Sequence, residues 1–114
     1  MNINIPQNMN KLREAQVFYK NELAGHITET QNGYIFQYDN EFSKKNIPIS
    51  MSLPIREKQY YSKELFAFFK GLLPEGWYLN IVSRTLKVDT KDFFGLLLAS
   101  ASCDTIGAVT VKKA

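Results

Sequence analysis

The sequence is poor in the residues that carry chemistry. It holds one cysteine, Cys103, and one histidine, His26. A lone cysteine excludes an internal disulfide and points to a reducing compartment. A His-centred metal site and a cysteine pair are excluded with it. A Cys–His nucleophilic pair would have to join Cys103 to His26, and nothing in the sequence draws the two together. The six glycines are isolated, so no Gly-rich loop is present to cradle a phosphate. The HRD-type catalytic loop and the DFG metal-binding triplet of phosphotransferases are missing too. Paired carboxylates such as Glu57 and Glu75 occur in every domain and carry little weight. Long apolar runs are absent: the longest, Phe93–Ala99, is far too short to span a bilayer. The opening MNINIPQNMN has neither the basic start nor the apolar stretch of a signal peptide. These absences predict a cytoplasmic protein without cofactor, metal or membrane contact, and no independent enzyme.

What is present is an ordinary globular composition, 45% hydrophobic and 22% charged over 114 residues, enough for one domain. Aromatics reach 13%, which favours a thick core or an adhesive surface. The net charge of +3 is scattered. A nucleic-acid binder concentrates its positive charge on one stripe or helix, so we expect no direct nucleic-acid contact. A small nucleic-acid-binding domain is the weaker alternative, resting on the pI of about 9.0 and testable by its salt dependence.

Patterning divides the chain. Residues 1–14 are polar and Asn-rich, with the composition of a flexible terminus. A single domain is expected over 15–114. QVFYKNELAGHITET predicts two strands around a tight turn at Lys20–Glu22. QNG at 31–33 signals another turn. In the following YIFQYD, Tyr34, Phe36 and Tyr38 point one way, and Ile35 and Gln37 the other. PISMSLP alternates as a further strand, with Ile49, Met51 and Leu53 on one face and Ser50 and Ser52 on the other. After Pro54 the period changes to that of a helix. Leu65, Phe68, Phe69, Leu72 and Leu73 share one face, with Ser62 as the N-cap and Pro74 as the stop. A second helix is expected after Gly76, through Tyr78, Ile81, Val82 and Thr85. VDTKDFFGLLLASA predicts a third, with Asp89 at the cap and Asp92 three residues on. AVTVKK predicts a final strand returning to the sheet. The fold class is α+β: a small antiparallel sheet with about three helices packed on one side.

The segment LLPEGW is the candidate recognition element. In one reading Leu72 and Leu73 are core, Pro74 and Gly76 make the interhelix turn, and Trp77 tucks under the second helix. In the other, Trp77 lies about 100° around the helix from Tyr78 and off the core stripe. A Trp on a rigid turn is a preferred interface anchor. Both readings stand at this point.

The motifs FYKNELAGHI, GYIFQYD, ISMSLPIRE, FFKGLLPEG and IGAVTV occur in order over residues 15–111. In this the chain resembles the N-terminal subdomain 1 of HipA-type kinases. It departs from that pattern at the first hairpin, where the usual Asn-Gly is Asn21-Glu22. As a free-standing copy it resembles HipS, the antitoxin of the three-component HipBST systems. There the kinase HipT lacks this piece, and HipB is the helix-turn-helix DNA-binding member. The resemblance implies an antitoxin that neutralises a HipT- or HipA-like serine/threonine kinase toxin, in a complex that includes a HipB-like protein. It implies a partner surface at Trp77, framed by Leu73, Pro74, Glu75, Gly76 and Tyr78. Arg56, just after SLPI, is a further candidate for a partner's acidic group, or else for a surface ion pair of little energy. The alternative within the family is a subunit that completes the kinase and its assembly with HipB without inhibiting it.

Overall fold

The computed structural model describes residues 11–73, 84–85, 87–89, 91–100 and 108–114. Strands β1 (Lys11–Tyr19), β2 (Glu22–Thr30), β3 (Gly33–Tyr38), β4 (Tyr60–Ser62) and β5 (Val109–Lys113) form one antiparallel sheet in the order β4-β3-β2-β1-β5. The returning strand is where AVTVKK predicts it. Three helices are described: α1 (Asn40–Ser43), α2 (Ala67–Lys70) and α3 (Phe93–Ser100). The α+β class holds. Strand β1 starts at Lys11, and Lys11 and Glu14 pair with Thr30 and Thr28, so residues 11–14 belong to the strand rather than to a flexible terminus.

The core face of the sheet follows from the register. Ala15 opposes Ile27, Ile27 opposes Phe36, and Val17 opposes Val111. All of these are buried. The opposite face carries the row Gln16, His26, Gln37, as alternation requires. All three helices place a phenylalanine on the core face. Phe42 of α1 meets Tyr38 at 6.1 Å and Tyr19 at 5.9 Å between ring centroids. Phe69 of α2 meets Phe36 at 5.6 Å, and Phe94 of α3 meets Tyr34 at 5.5 Å. Each such ring pair adds about 0.5–1.5 kcal/mol beyond its buried area.

Two expected elements differ. The PISMSLP segment forms no strand but bends around one turn, closed by the Leu53 amide donating to the Ser50 carbonyl at 3.0 Å. Ile49 and Leu53 are buried, while Met51 is 94% exposed. The side-chain oxygen of Ser50 accepts from the Ser52 amide at 3.2 Å, one of the local bonds by which serine diverts backbone from regular ladders. From inside, the Tyr38 phenol donates to the Leu53 carbonyl and accepts from the Ile49 amide, which pins the loop at both ends. Burial, more than any charge, pushes the Tyr38 phenol above its ordinary pKa. The edge strand is supplied instead by Tyr60–Ser62, so Ser62 is a sheet residue and not a helix cap. Helix α2 accordingly starts at Ala67 with no side-chain cap. Gly33, at φ 151°, lies against this edge strand, and a Cβ there would collide with the Ser62 carbonyl.

Helix α3 also starts later than the sequence suggests. Its cap is Asp92, whose carboxylate accepts from the Gly95 amide at 3.0 Å. Asp89 caps only the preceding turn, through the Lys91 amide at 2.9 Å. Asp92 has a second task. Arg13 of β1 grips it through Nη1 and Nη2 at 3.0 and 2.9 Å, and grips Glu29 of β2 through Nε and Nη2 at 2.7 and 2.9 Å. One guanidinium thus ties two strands to a helix 79 residues away, its face 5.3 Å from the Phe94 ring centre. Gly95 makes the grip possible, because a Cβ there would overlap the Asp92 carboxylate.

The first hairpin turn is tight, as the sequence predicts, although it lacks Asn-Gly. Tyr19 pairs Glu22, leaving a two-residue loop of Lys20 and Asn21, at φ 49° and 68°. Two positive φ values are those of a type I′ turn, which Asn-Gly fits best. The double change Lys20→Asn, Asn21→Gly should therefore raise stability by about 1 kcal/mol, read from urea midpoints at unchanged slope.

The Arg13–Asp92 pair gives a pH dependence. Hydrogen bonds from the Arg13 guanidinium, aided by the Gly95 amide, hold the Asp92 carboxyl below its ordinary 3.8. A depressed carboxyl stabilises the fold above its unfolded pKa and loses that contribution as pH falls through the folded value. Asn caps a helix as well as Asp, so Asp92→Asn isolates the charge. Near neutral pH it should cost about 1 kcal/mol, a figure kept small by solvent screening of the half-exposed pair. The gap from wild type should close as pH drops below 3.8. A gap that stayed constant down to acid pH would show that the charge pair contributes nothing.

Candidate interaction surface

Helix α2 delivers the chain to the LLPEGW segment. Phe69 is fully buried, and Leu65 and Leu73, four residues to either side, are buried with it. Past Lys70 the backbone tightens into short-range bonds: Leu72 N donates to Phe69 O and Leu73 N to Lys70 O, both at 3.1 Å. Leu73 belongs to the core, so its side chain serves the fold. Its place next to Pro74 makes it the fixed point from which the segment departs. Pro74, Glu75, Gly76, Trp77 and Tyr78 lie outside the described residues, as do Ile81, Val82 and Cys103. Residues 84–85 are helical.

Arg56 is seated within its own loop. Its Nε donates to the Lys58 carbonyl at 3.1 Å and its Nη2 to the Gln59 carbonyl at 2.8 Å. Its guanidinium lies 3.6 Å from the centre of the Tyr60 ring. An exposed stack of this kind contributes about 0.5–1 kcal/mol. The Tyr60 hydroxyl donates to the Pro54 carbonyl at 2.5 Å. The SLPIR loop is thus braced by Tyr38 from within and by Arg56 and Tyr60 from outside. Arg56 and Leu73 have different settings: one is an exposed loop residue, the other core.

The structure exposes apolar side chains in two places, of which alternation in the sequence had assigned only Met51 to a common face with Ile49 and Leu53. Met51, assigned inward as a strand residue, projects from its loop with Ile47, which is 49% exposed. Leu12, on the rim of β1, is 54% exposed. The flanking Pro48 and Pro54 were a signal that the Met51 segment is no central strand. Leu12 gave no such signal. Among the described residues, no group of three or more His, Cys, Asp or Glu is placed to hold a metal ion. No described helix is long and apolar enough to cross a membrane. His26 sits on the outer sheet face between Gln16 and Gln37.

Comparison with known proteins accounts for nearly the whole chain. The HipA N-terminal domain family matches residues 15–112. An uncharacterized protein of Haemophilus influenzae is 31% identical over 102 residues, which cover 90% of this chain and 93% of that protein. A putative kinase, Y4mE of Sinorhizobium fredii, is 30% identical over 89 residues; these cover 75% of this chain but only 21% of the kinase. Among solved structures, the N-terminal domain of HipA toxin superposes with a TM-score of 0.70 at 28% identity, covering 92% of this chain and 95% of that one. Fold, register of motifs and relatives agree, and the chain belongs to the HipA N-terminal domain family.

Proposed function

We propose that this chain is a HipS-like antitoxin, a non-enzymatic protein that binds a HipT- or HipA-like serine/threonine kinase toxin in the cytoplasm and silences it, in a complex that also holds a HipB-like DNA-binding protein. One observation carries the reading. The same domain fills 93% of a small relative and 21% of a putative kinase. A domain found both alone and as part of a kinase is suited to dock on a kinase in trans.

The inhibitory element is the PEGW turn, with Trp77 as its anchor. Trp buries a large area with few rotatable bonds. Leu73, fixed in the core, is the residue from which the segment departs. Inhibition is steric: the turn occupies the nucleotide or substrate cleft, or holds the kinase lobes apart. It favours the inactive state by its differential affinity for that state.

Co-purification with the HipT-like kinase of the same genome, with phosphoryl transfer assayed in parallel, tests this. Wild type should bind and silence the kinase. Trp77→Ala should stay folded by circular dichroism and lose at least 10-fold in affinity, the size of a central anchor residue. A variant that binds and inhibits as before would move the inhibitory surface elsewhere. Failure of wild type to bind would overturn the antitoxin reading.

A further inference from the structure

Three concavities of this domain lie together at one end of the sheet. The first, about 550 Å³, is lined by Leu12, Tyr34, Tyr61 and the turn at Gln31–Gly33. The second, about 500 Å³, is lined by Leu12, Arg13, Glu14, Lys113 and Ala114. The third, about 420 Å³, runs from Arg13 and Lys113 to Gly95 and Leu98 of α3. Leu12 is common to the first two, and Arg13 and Lys113 to the second and third, so they form one continuous rim. Its centre is an exposed leucine, and the 53% exposed Tyr61 stands at its far side. The register explains why Leu12 stands there. Between Lys11 and Glu14, β1 advances three residues while β2 advances two, from Thr30 to Thr28. The extra residue is a bulge, a device that re-aims side chains at sheet ends. Here it lets Arg13 turn inward to Glu29 and Asp92 while Leu12 remains outside.

The relatives indicate what meets this rim. The family is an N-terminal domain, and its match to this chain ends at residue 112, in β5. In a single-chain member, the remaining polypeptide therefore departs from the end of β5. That end is held against β1 beside the rim, with the Ala114 amide donating to the Glu14 carbonyl at 3.1 Å. Resting on the antitoxin reading, we propose that the Leu12 rim is a docking surface for the kinase partner, separate in sequence from the PEGW turn, and that it takes an apolar side chain of the kinase's N-terminal region. An exposed leucine lining two open depressions, ringed by Arg13, Glu14 and Lys113, has the apolar centre and polar rim of a protein interface.

The test is a binding titration of the HipT-like kinase of the same genome with wild type, Leu12→Asp and Met51→Asp. Met51 is exposed on the loop pinned by Tyr38, at the opposite end of the sheet, and serves as the control. Leu12→Asp should keep the wild-type circular dichroism spectrum and weaken binding at least 10-fold, while Met51→Asp binds as wild type. Should Leu12→Asp lose its fold, Leu12→Ser, milder at an exposed site, takes its place with the same expectation. Undiminished affinity of the folded Leu12 variant, with wild type binding, overturns the docking surface and leaves the antitoxin reading intact. Equal loss in the Met51 variant overturns it too, because the effect would then belong to added charge. A wild-type dimer in solution that Leu12→Asp dissolves would assign the rim to a second copy of this chain. No binding by wild type overturns both proposals.

Discussion

Phe36 is the side chain on which the packing of this domain converges. It is fully buried in the middle of β3. Its ring lies within 4.9 to 6.5 Å, centre to centre, of Tyr38, Tyr60, Phe66 and Phe69. Those partners belong to its own strand, the edge strand β4, the approach to α2, and α2 itself. The loop between α1 and β4 is held at its middle by the same group, since Tyr38 and Tyr60 donate their phenol hydrogens to the adjacent carbonyls of Leu53 and Pro54. A four-residue helix such as α2 has no independent stability. It exists because Phe69 has a ring to pack against, and the position of Leu73 follows from it.

Arg13 imposes the second constraint, of a different physical kind. It is a planar fork with two carboxylates in its plane, a geometry that lysine cannot supply. Asp92 connects this fork to the first turn of α3 by capping the helix with the same carboxylate. Removing Arg13 would therefore leave Glu29, 14% exposed, as a sheltered carboxylate without its cation. The hydrophobic contact between Phe94 and Tyr34 sets where α3 lies on the sheet. The ion cluster sets its rotation and its start.

The sheet was legible in the sequence wherever a two-residue period coincided with turn residues. The strands around Lys20–Asn21 and Gln31–Asn32, and the return of AVTVKK, meet that condition. The segment 48–54 shows the limit of alternation. Ile49, Met51 and Leu53 repeat with period two, yet the pattern arises from a single turn at Ser50–Leu53, flanked by bends, that buries the outer pair and expels the middle one. Alternation reports which residues are buried, not how the backbone between them runs. The helix expected from Ser62 onward failed for a related reason. Leu65, Phe69 and Leu73 do share a buried face, but only Ala67–Lys70 close helical bonds, because Tyr60–Ser62 are taken up as the sheet's edge. Arg13 was invisible as a hub: its two partners lie 16 and 79 residues away, and no local pattern encodes such a pairing. The PEGW segment could be identified by its chain break and its tryptophan, and the family resemblance gave it a role that no packing argument supplies.

On the proposed reading, a domain that blocks another protein has to resist deformation where it makes contact. Flexible contact elements lose conformational entropy on binding, and that loss subtracts directly from affinity. The described parts of this chain meet the requirement in two ways. Leu73 is sunk in the aromatic core directly before Pro74, so the residue from which the PEGW segment departs is tied to that core. Leu12 is flanked by Arg13, whose fork is bonded on both sides. The backbone beneath it is consequently held by charge-assisted hydrogen bonds, which are about twice as strong as neutral ones. Apolar packing fixes Leu73, and electrostatics fixes the strand end that carries Leu12. The two depend differently on solution conditions: added salt weakens the ion cluster and leaves the aromatic core intact. If both proposed surfaces dock, a salt-dependent component of binding would accordingly belong to the Leu12 rim, and a salt-independent one to the segment that follows Leu73.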